Sequence, residues 1–93
     1  MTDTNDLDKT LAERGSRYGT FTGHAYIAQE LKDFFRVQPR WLNLEDDQKE
    51  SLEMIAHKIA RILNGDPHYA DSWVDIAGYA KLVGDRLLTG VEV

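Results

Sequence analysis

The chain has 93 residues, enough for one small domain and too few for two hydrophobic cores. It contains no cysteine, which excludes disulfide bonds and thiolate metal sites and is typical of cytosolic proteins. Its polar, acidic N-terminus is unlike a signal peptide, and no apolar segment approaches membrane-spanning length. The sequence therefore predicts a single cytoplasmic domain that does not associate with membranes.

The formal net charge of −5 is unevenly placed along the chain. Residues 1–40 carry equal numbers of acidic and basic side chains, so all of the excess negative charge follows Arg40. Because binding to duplex nucleic acid needs a basic stripe that displaces counterions, this class of partner is excluded. The acidic half of the chain is compatible with a cation site.

The N-terminal segment predicts a weak helix, since Leu7 and Leu11 give only a narrow apolar face. We expect residues 1–13 to fray or to dock on a partner chain. Residues 14–23 contain three glycines and are predicted to form a loop. Two arginines and two aromatic residues in this loop either cap the core beside solvated charges or contact a ligand: Arg14, Arg17, Tyr18 and Phe21.

Three further helices follow from apolar residues at helical spacing. The first is predicted over 24–36 with Thr22 as its N-cap, and the second over 44–64 with Asn43 as its N-cap and Gly65 as the C′ residue that stops it. The third is predicted over 70–89, with an inward stripe of Trp73, Ile76, Ala77, Ala80, Val83 and Leu87. We therefore expect an all-α domain spanning residues 1–93, built on an antiparallel hairpin of helices 44–64 and 70–89.

The hairpin carries seven ionisable residues outside its apolar positions: Glu50, Glu53, His57, Lys58, Arg61, Asp71 and Asp75. A tight turn near Asp66 would place Lys58 level with Asp75, and Arg61 level with Asp71 or Ser72. One interpretation is therefore structural, with two interhelical ion pairs that fix the register of the hairpin. His57 is expected to hydrogen-bond to Glu53, because no second histidine is spaced to join it.

The acidic residues also resemble a motif of the all-α nucleoside triphosphate pyrophosphatases, the MazG and dimeric dUTPase group. In that group, Glu-x-x-Glu on one helix and Glu-x-x-Asp on the next hold magnesium against a triphosphate. Glu50-x-x-Glu53 matches the first half, whereas Asp71-x-x-x-Asp75 departs from the second in residue type and by one position. The resemblance covers about residues 45–85 and implies a magnesium site of Glu50, Glu53, Asp71 and Asp75.

A second resemblance covers most of the chain. Small uncharacterised helical proteins of phages and prophages show Arg-x-x-x-Tyr-Gly, then Lys-x-x-Arg, then Asp-x-x-x-Asp-x-x-Gly-Tyr-Ala. The chain has these elements in order at 14–19, 58–61 and 71–80. Some relatives of these proteins accompany phage nucleotide-modification genes, which implies nucleotide handling in the host cytoplasm. The expected phosphate or nucleotide contacts are Arg14, Tyr18, Lys58, Arg61 and Tyr79.

Two functions stay open at this point. In the first, Glu50, Glu53 and Asp75 hold magnesium while basic residues neutralise phosphate, which supports nucleotide binding or pyrophosphohydrolysis. This needs an offset hairpin or a ligand from a second subunit, because a simple hairpin separates Glu53 from Asp75 by about 7.5 Å along the axis. In the second, the protein is a non-catalytic helical oligomer. We expect self-association, most simply as a dimer, because one thin helical layer cannot bury all the large apolar residues: Phe34, Phe35, Trp41, Trp73, Leu87 and Leu88.

Overall fold

The computed structural model describes residues 4–91, which form four α-helices and one short 3-10 helix. They are α1 (Thr4–Tyr18), α2 (Phe21–Arg36), the 3-10 helix (Trp41–Asn43), α3 (Asp46–Asn64) and α4 (Ala70–Thr89). No strand occurs in this part of the chain, so the all-α prediction is confirmed, as is the span of the last helix. No described helix combines the length and the apolar character needed to cross a membrane.

Helices α3 and α4 form the predicted antiparallel hairpin. In the second turn of α3, the Ser51 hydroxyl donates to the carbonyl oxygen of Tyr79 over 2.9 Å. About two turns further along α3, Lys58 pairs with Asp75, which lies nearer the start of α4. The order of these contacts shows that the two helices run in opposite directions. Helix α2 packs on the other side of α3, so α3 is the central helix of the domain.

The predicted loop at 14–23 is wrong, because α1 continues to Tyr18 and α2 already begins at Phe21. Only Gly19 and Thr20 separate the two helices, and we call this pair the hinge. The chain reverses at Gly19, whose φ of +76° is favourable for glycine and strained for other residues. Thr20, rather than Thr22, caps α2 by accepting a hydrogen bond from the Gly23 N–H over 3.2 Å.

The hinge is fixed against the end of α3. The Asn64 side-chain amide donates to the carbonyl oxygens of Tyr18 and Thr20, over 2.7 and 2.8 Å. A Cβ atom on Gly19 would lie 2.1 Å from the Asn64 carbonyl oxygen, and one on Gly65 would lie 2.2 Å from the Arg17 carbonyl oxygen. Gly65 therefore allows a close approach of two backbones, and its φ of −141° shows that it does not stop α3 through the left-handed conformation expected of a C′ residue.

The start of α3 also differs from the prediction. Asn43 lies in the 3-10 helix, and the N-cap of α3 is Glu45, whose N–H donates to the Gln48 side chain over 2.8 Å. In the structure Arg86 of α4 reaches across and forms ion pairs with Glu45 and Asp47.

The core is small. The buried apolar residues of the described chain are Ala28, Trp41, Ala56 and Ala60.

Helix α4 is rotated about its own axis relative to the prediction. It faces α3 mainly through Ser72, Asp75, Ile76, Tyr79, Val83 and Arg86. Four residues predicted to face inward are exposed: Trp73, Ala77, Ala80 and Leu87. Polar contacts with Ser51, Lys58 and Asp47 determine this orientation, which turns the helix by roughly 70° from the expected one.

Candidate functional site

A cavity of about 400 Å³ lies between α1, α2 and α3. Its lining comprises Leu11, Arg14, Gly15, Tyr18, Gly19, Thr20, Phe21, His24, His57 and Arg61. Two arginines and two histidines are among these residues, and none carries a carboxylate. Since the chain has 16 acidic and 11 basic residues, the local charge is opposite in sign to that of the whole molecule.

The two arginines of the cavity have no carboxylate partner among residues 4–91. The Arg61 guanidinium lies 4.3 Å from the centre of the Tyr18 ring, which holds it by a cation–π contact. The predicted ion pair of Arg61 with Asp71 is therefore wrong. No acidic group in residues 4–91 lies within ion-pair distance of Arg14. Both positive charges are consequently available to an anion in the cavity.

His24 and His57 form a pair near the N-terminus of α2. His24 Nε2 and His57 Nδ1 are 3.1 Å apart, although the residues are 33 positions apart in sequence. The predicted bond of His57 to Glu53, and the expectation that no histidine joins His57, are both wrong. Burial lowers the pKa of both rings, and nearby cations such as Arg61 add to the effect, so that the pKa of His57 falls to about 4. Both rings are therefore neutral at pH 7.

The hydrogen bonds of His24 and His57 indicate which ring nitrogen of each residue carries the proton. His24 is 7% exposed, and its Nδ1 is buried without a partner among the described residues. Because a buried unpaired lone pair costs less than a buried unpaired N–H, His24 is assigned its proton on Nε2, which donates to His57 Nδ1. His57 then holds its own proton on Nε2, where the N–H can donate to a ligand.

The cavity also borders the N-terminus of α2. The N–H groups of Phe21 and Thr22 have no acceptor within the helix, and the helix dipole gives this end a partial positive charge. The Phe21 side chain is 81% exposed at the rim. The site thus combines several N–H donors with one accessible aromatic face.

The charged hairpin lies outside this cavity. Lys58 Nζ is 3.0 Å from Asp75 Oδ2, which confirms the predicted pairing. Lys58 is only 9% exposed, so its charge depends on this partner. Glu53 lies 3.4 Å from the Arg36 guanidinium of α2. Two of the predicted magnesium ligands are therefore paired with cations.

The other two predicted magnesium ligands lie elsewhere. Glu50 and Tyr79 line a second cavity of about 570 Å³ near the first turn of α3. Asp71 lies in the first turn of α4 and accepts a hydrogen bond that raises the pKa of Tyr69. Within residues 4–91, no three histidine, aspartate or glutamate side chains lie close enough together to hold a metal ion. Of the predicted phosphate contacts, Arg14, Tyr18 and Arg61 meet in the first cavity, whereas Lys58 and Tyr79 do not line it.

A comparison with protein families shows to which family the chain belongs. Residues 7–87 match the model of a domain of unknown function, DUF6378. The chain belongs to the DUF6378 family. No similar curated protein and no similar solved structure was found. The DUF6378 match includes every residue of the first cavity, all of α3 and all but the last two residues of α4.

Three sequence motifs of this DUF6378 domain are in direct contact. Tyr18 of the first motif packs under Arg61 of the second, and Lys58 of the second pairs with Asp75 of the third. Sequence reasoning missed His24 as a site residue, since one histidine on an apolar helix gives no signal of a partner on another helix. Phe21 was noted only as a loop aromatic, because the start of α2 was placed three residues too late.

Proposed function

We propose that this DUF6378 domain binds a nucleotide, with the phosphate groups in the cavity between α1, α2 and α3. The observation that carries the proposal is the composition of the cavity, which two arginines and two histidines line without any carboxylate in an otherwise acidic chain. A site of this kind attracts anions through the local field and repels acidic side chains.

The individual donors suit phosphate oxygens. Arg14 and Arg61 present planar guanidinium groups, which bind phosphate through pairs of N–H donors. Free backbone N–H groups at the start of α2 add donors and a favourable dipole. The Nε2–H of His57 supplies a neutral donor from a third direction. These groups belong to three helices, so they can surround a phosphate group.

The size and aromatic content of the cavity favour a nucleotide over phosphate alone. A volume of about 400 Å³ is within the range of small-molecule sites. Phe21 offers an exposed ring on which a base can stack, and stacking of this kind contributes about 1–3 kcal/mol per base. A phage-type accessory protein that acts on the cytoplasmic nucleotide pool would be consistent with such a site.

The proposal is restricted to binding, with magnesium as a counterion of the nucleotide. Pyrophosphohydrolysis of the MazG type would require Glu50, Glu53, Asp71 and Asp75 to act together. Within residues 4–91 these carboxylates have different surroundings, and Glu53 and Asp75 are engaged with cations. Bound nucleotide is therefore expected to be recovered intact.

The decisive experiment measures thermal stabilisation by nucleotides. Nucleoside triphosphates, with and without magnesium, should raise the melting temperature, because a ligand at about 100 times its Kd stabilises by about 2.7 kcal/mol. Inorganic triphosphate should stabilise less, since it cannot stack on Phe21. Pyrophosphate release measured in the same samples would report hydrolysis.

A matched pair of variants tests the location of the site. Arg14→Ala should weaken binding about tenfold or more, because each charge-assisted contact contributes about 1.5–3 kcal/mol. Arg40→Ala removes the same charge from an exposed position outside the cavity and should leave the affinity unchanged. The proposal fails if no nucleotide stabilises the wild-type protein, or if the two variants bind equally well.

A further inference from the structure

One exposed side of α4 carries an apolar stripe that packs against no other helix of the described chain. Trp73, Ala77, Ala80, Gly84 and Leu87 recur at spacings of three and four, which places them on one side of the helix. Trp73 is 55% exposed and Leu87 is 58% exposed. At about 100° per residue, this stripe lies roughly 110° around the helix from the side that contacts α3, so α4 has an exposed apolar side beside its packed one.

Large apolar side chains lie at both ends of this stripe, and one of them is held in place by a hydrogen bond. The Trp73 indole N–H donates to the Pro67 carbonyl oxygen over 2.9 Å, which fixes the ring at the start of the helix. Leu88, next to Leu87, is 87% exposed at the other end. Between these large residues stand the small residues Ala77, Ala80 and Gly84, whose short side chains would allow the backbone of another helix to approach closely.

We propose that this face binds the same face of a second copy of the chain. In an antiparallel arrangement with a two-fold axis at Ala80, Trp73 of each copy lies level with Leu87 of the other. The two alanines at position 80 then face each other across the axis. Large residues therefore meet large residues at both ends while the small centres allow close approach, so the pattern is self-complementary.

The exposed area of the domain supports a dimer. The chain exposes 6890 Å². A compact monomer of 10.6 kDa exposes about 5,500 Å², so the excess is about 1,400 Å². Part of this excess belongs to α1, where Leu7 and Leu11 are more than half exposed. The whole excess is larger than the about 800 Å² per partner that a standard interface buries, so it leaves room for an interface on α4.

The inference is independent of the proposed nucleotide site. No residue of α4 lines the cavity between α1, α2 and α3. Disruption of the dimer should therefore leave nucleotide binding in place, and loss of nucleotide binding would not affect the dimer. The two proposals can fail separately.

The test is the solution mass by light scattering at about 10–100 µM protein. The wild-type chain should give twice the monomer mass of 10.6 kDa. Ala80→Glu should give a monomer, because it places two carboxylates together at the axis. Ala12→Glu makes the same change at an exposed alanine of α1 and should remain a dimer. Circular dichroism should show equal helicity for all three proteins, since both positions are exposed.

A charge-rescue experiment shows whether the two copies meet at position 80. Ala80→Lys alone should be monomeric, and a mixture of Ala80→Lys with Ala80→Glu should form a one-to-one heterodimer. A monomeric wild-type protein, a dimer that survives Ala80→Glu, or a mixture that stays monomeric would each overturn the proposal.

Discussion

Removal of the carboxylate from the Lys58–Asp75 pair should destabilise the domain. Lys58 is 9% exposed, so Asp75→Asn leaves a nearly buried ammonium group beside a neutral amide. Loss of one partner of a fully buried pair costs about 3–5 kcal/mol, whereas exposed pairs contribute about 0–1 kcal/mol. Because the Asp75 side chain is 45% exposed, the cost should lie between these limits, at about 1–2 kcal/mol. For a domain of this size, the melting temperature should fall by about 5–15 °C.

The same helix offers a control for this prediction. Asp85 pairs with Lys81 over 2.7 Å, but the Lys81 side chain is 74% exposed where that of Lys58 is 11% exposed, so Asp85→Asn should cost about 0.5 kcal/mol or less. Urea denaturation of both variants gives the comparison. If Asp75→Asn and Asp85→Asn lower the free energy of unfolding equally, the argument from Lys58 burial is refuted. Asp75→Asn should also retain stabilisation by nucleotides, because Asp75 lies outside the cavity.

Two further predictions concern the histidine pair and the hinge. The pKa of His57 is about 4 in the folded protein and about 6.5 in the unfolded chain. The contribution of neutral His57 to the free energy of unfolding is therefore complete above pH 7 and is lost as the pH falls towards 4. Between pH 7.5 and pH 5 the free energy of unfolding should fall by up to about 2 kcal/mol, and His57→Gln should reduce this slope in urea titrations, whereas His68→Gln at an exposed position should not. Gly19→Ala should destabilise by about 2 kcal/mol or more, because of its positive φ and the 2.1 Å approach to the Asn64 carbonyl oxygen. Gly15→Ala, with nothing within 4 Å of the added methyl group, should instead stabilise α1 by up to about 1 kcal/mol, so equal melting temperatures of the two variants would contradict the hinge argument.

The sequence predicted the positions of the helices along the chain better than the rotation of each helix about its own axis. Apolar spacing located α4 over 70–89, and the level positions in a hairpin predicted the Lys58–Asp75 pair. The same apolar spacing assigned Trp73 and Leu87 to the core, because it cannot distinguish a face that packs within the chain from one that is left exposed. Ser72, Tyr79 and Arg86 face α3 instead, and their polar contacts become apparent only when α3 is in place.

Prediction of the site was limited by long-range geometry. Arg14, Tyr18 and Arg61 were identified as phosphate contacts from motif resemblance, and the structure places all three on one cavity. The partnership of His24 with His57 joins positions 33 residues apart and leaves no local pattern. Three glycines in ten residues suggested a loop. Gly15 in fact lies within α1, so glycine content alone misplaced the start of α2.

The contact between the hinge and the end of α3 has a consequence for ligand selectivity. Arg14 is carried by α1 and Arg61 by α3, so the gap between their guanidinium groups depends on how α1 is held against α3. Asn64 and Gly65 control that distance, although neither lines the cavity. A bulkier residue at either position would act as a spacer and widen the gap. Under the proposed nucleotide-binding function, substitutions at these two positions would change the length of anion that fits between the arginines while the lining residues stay the same.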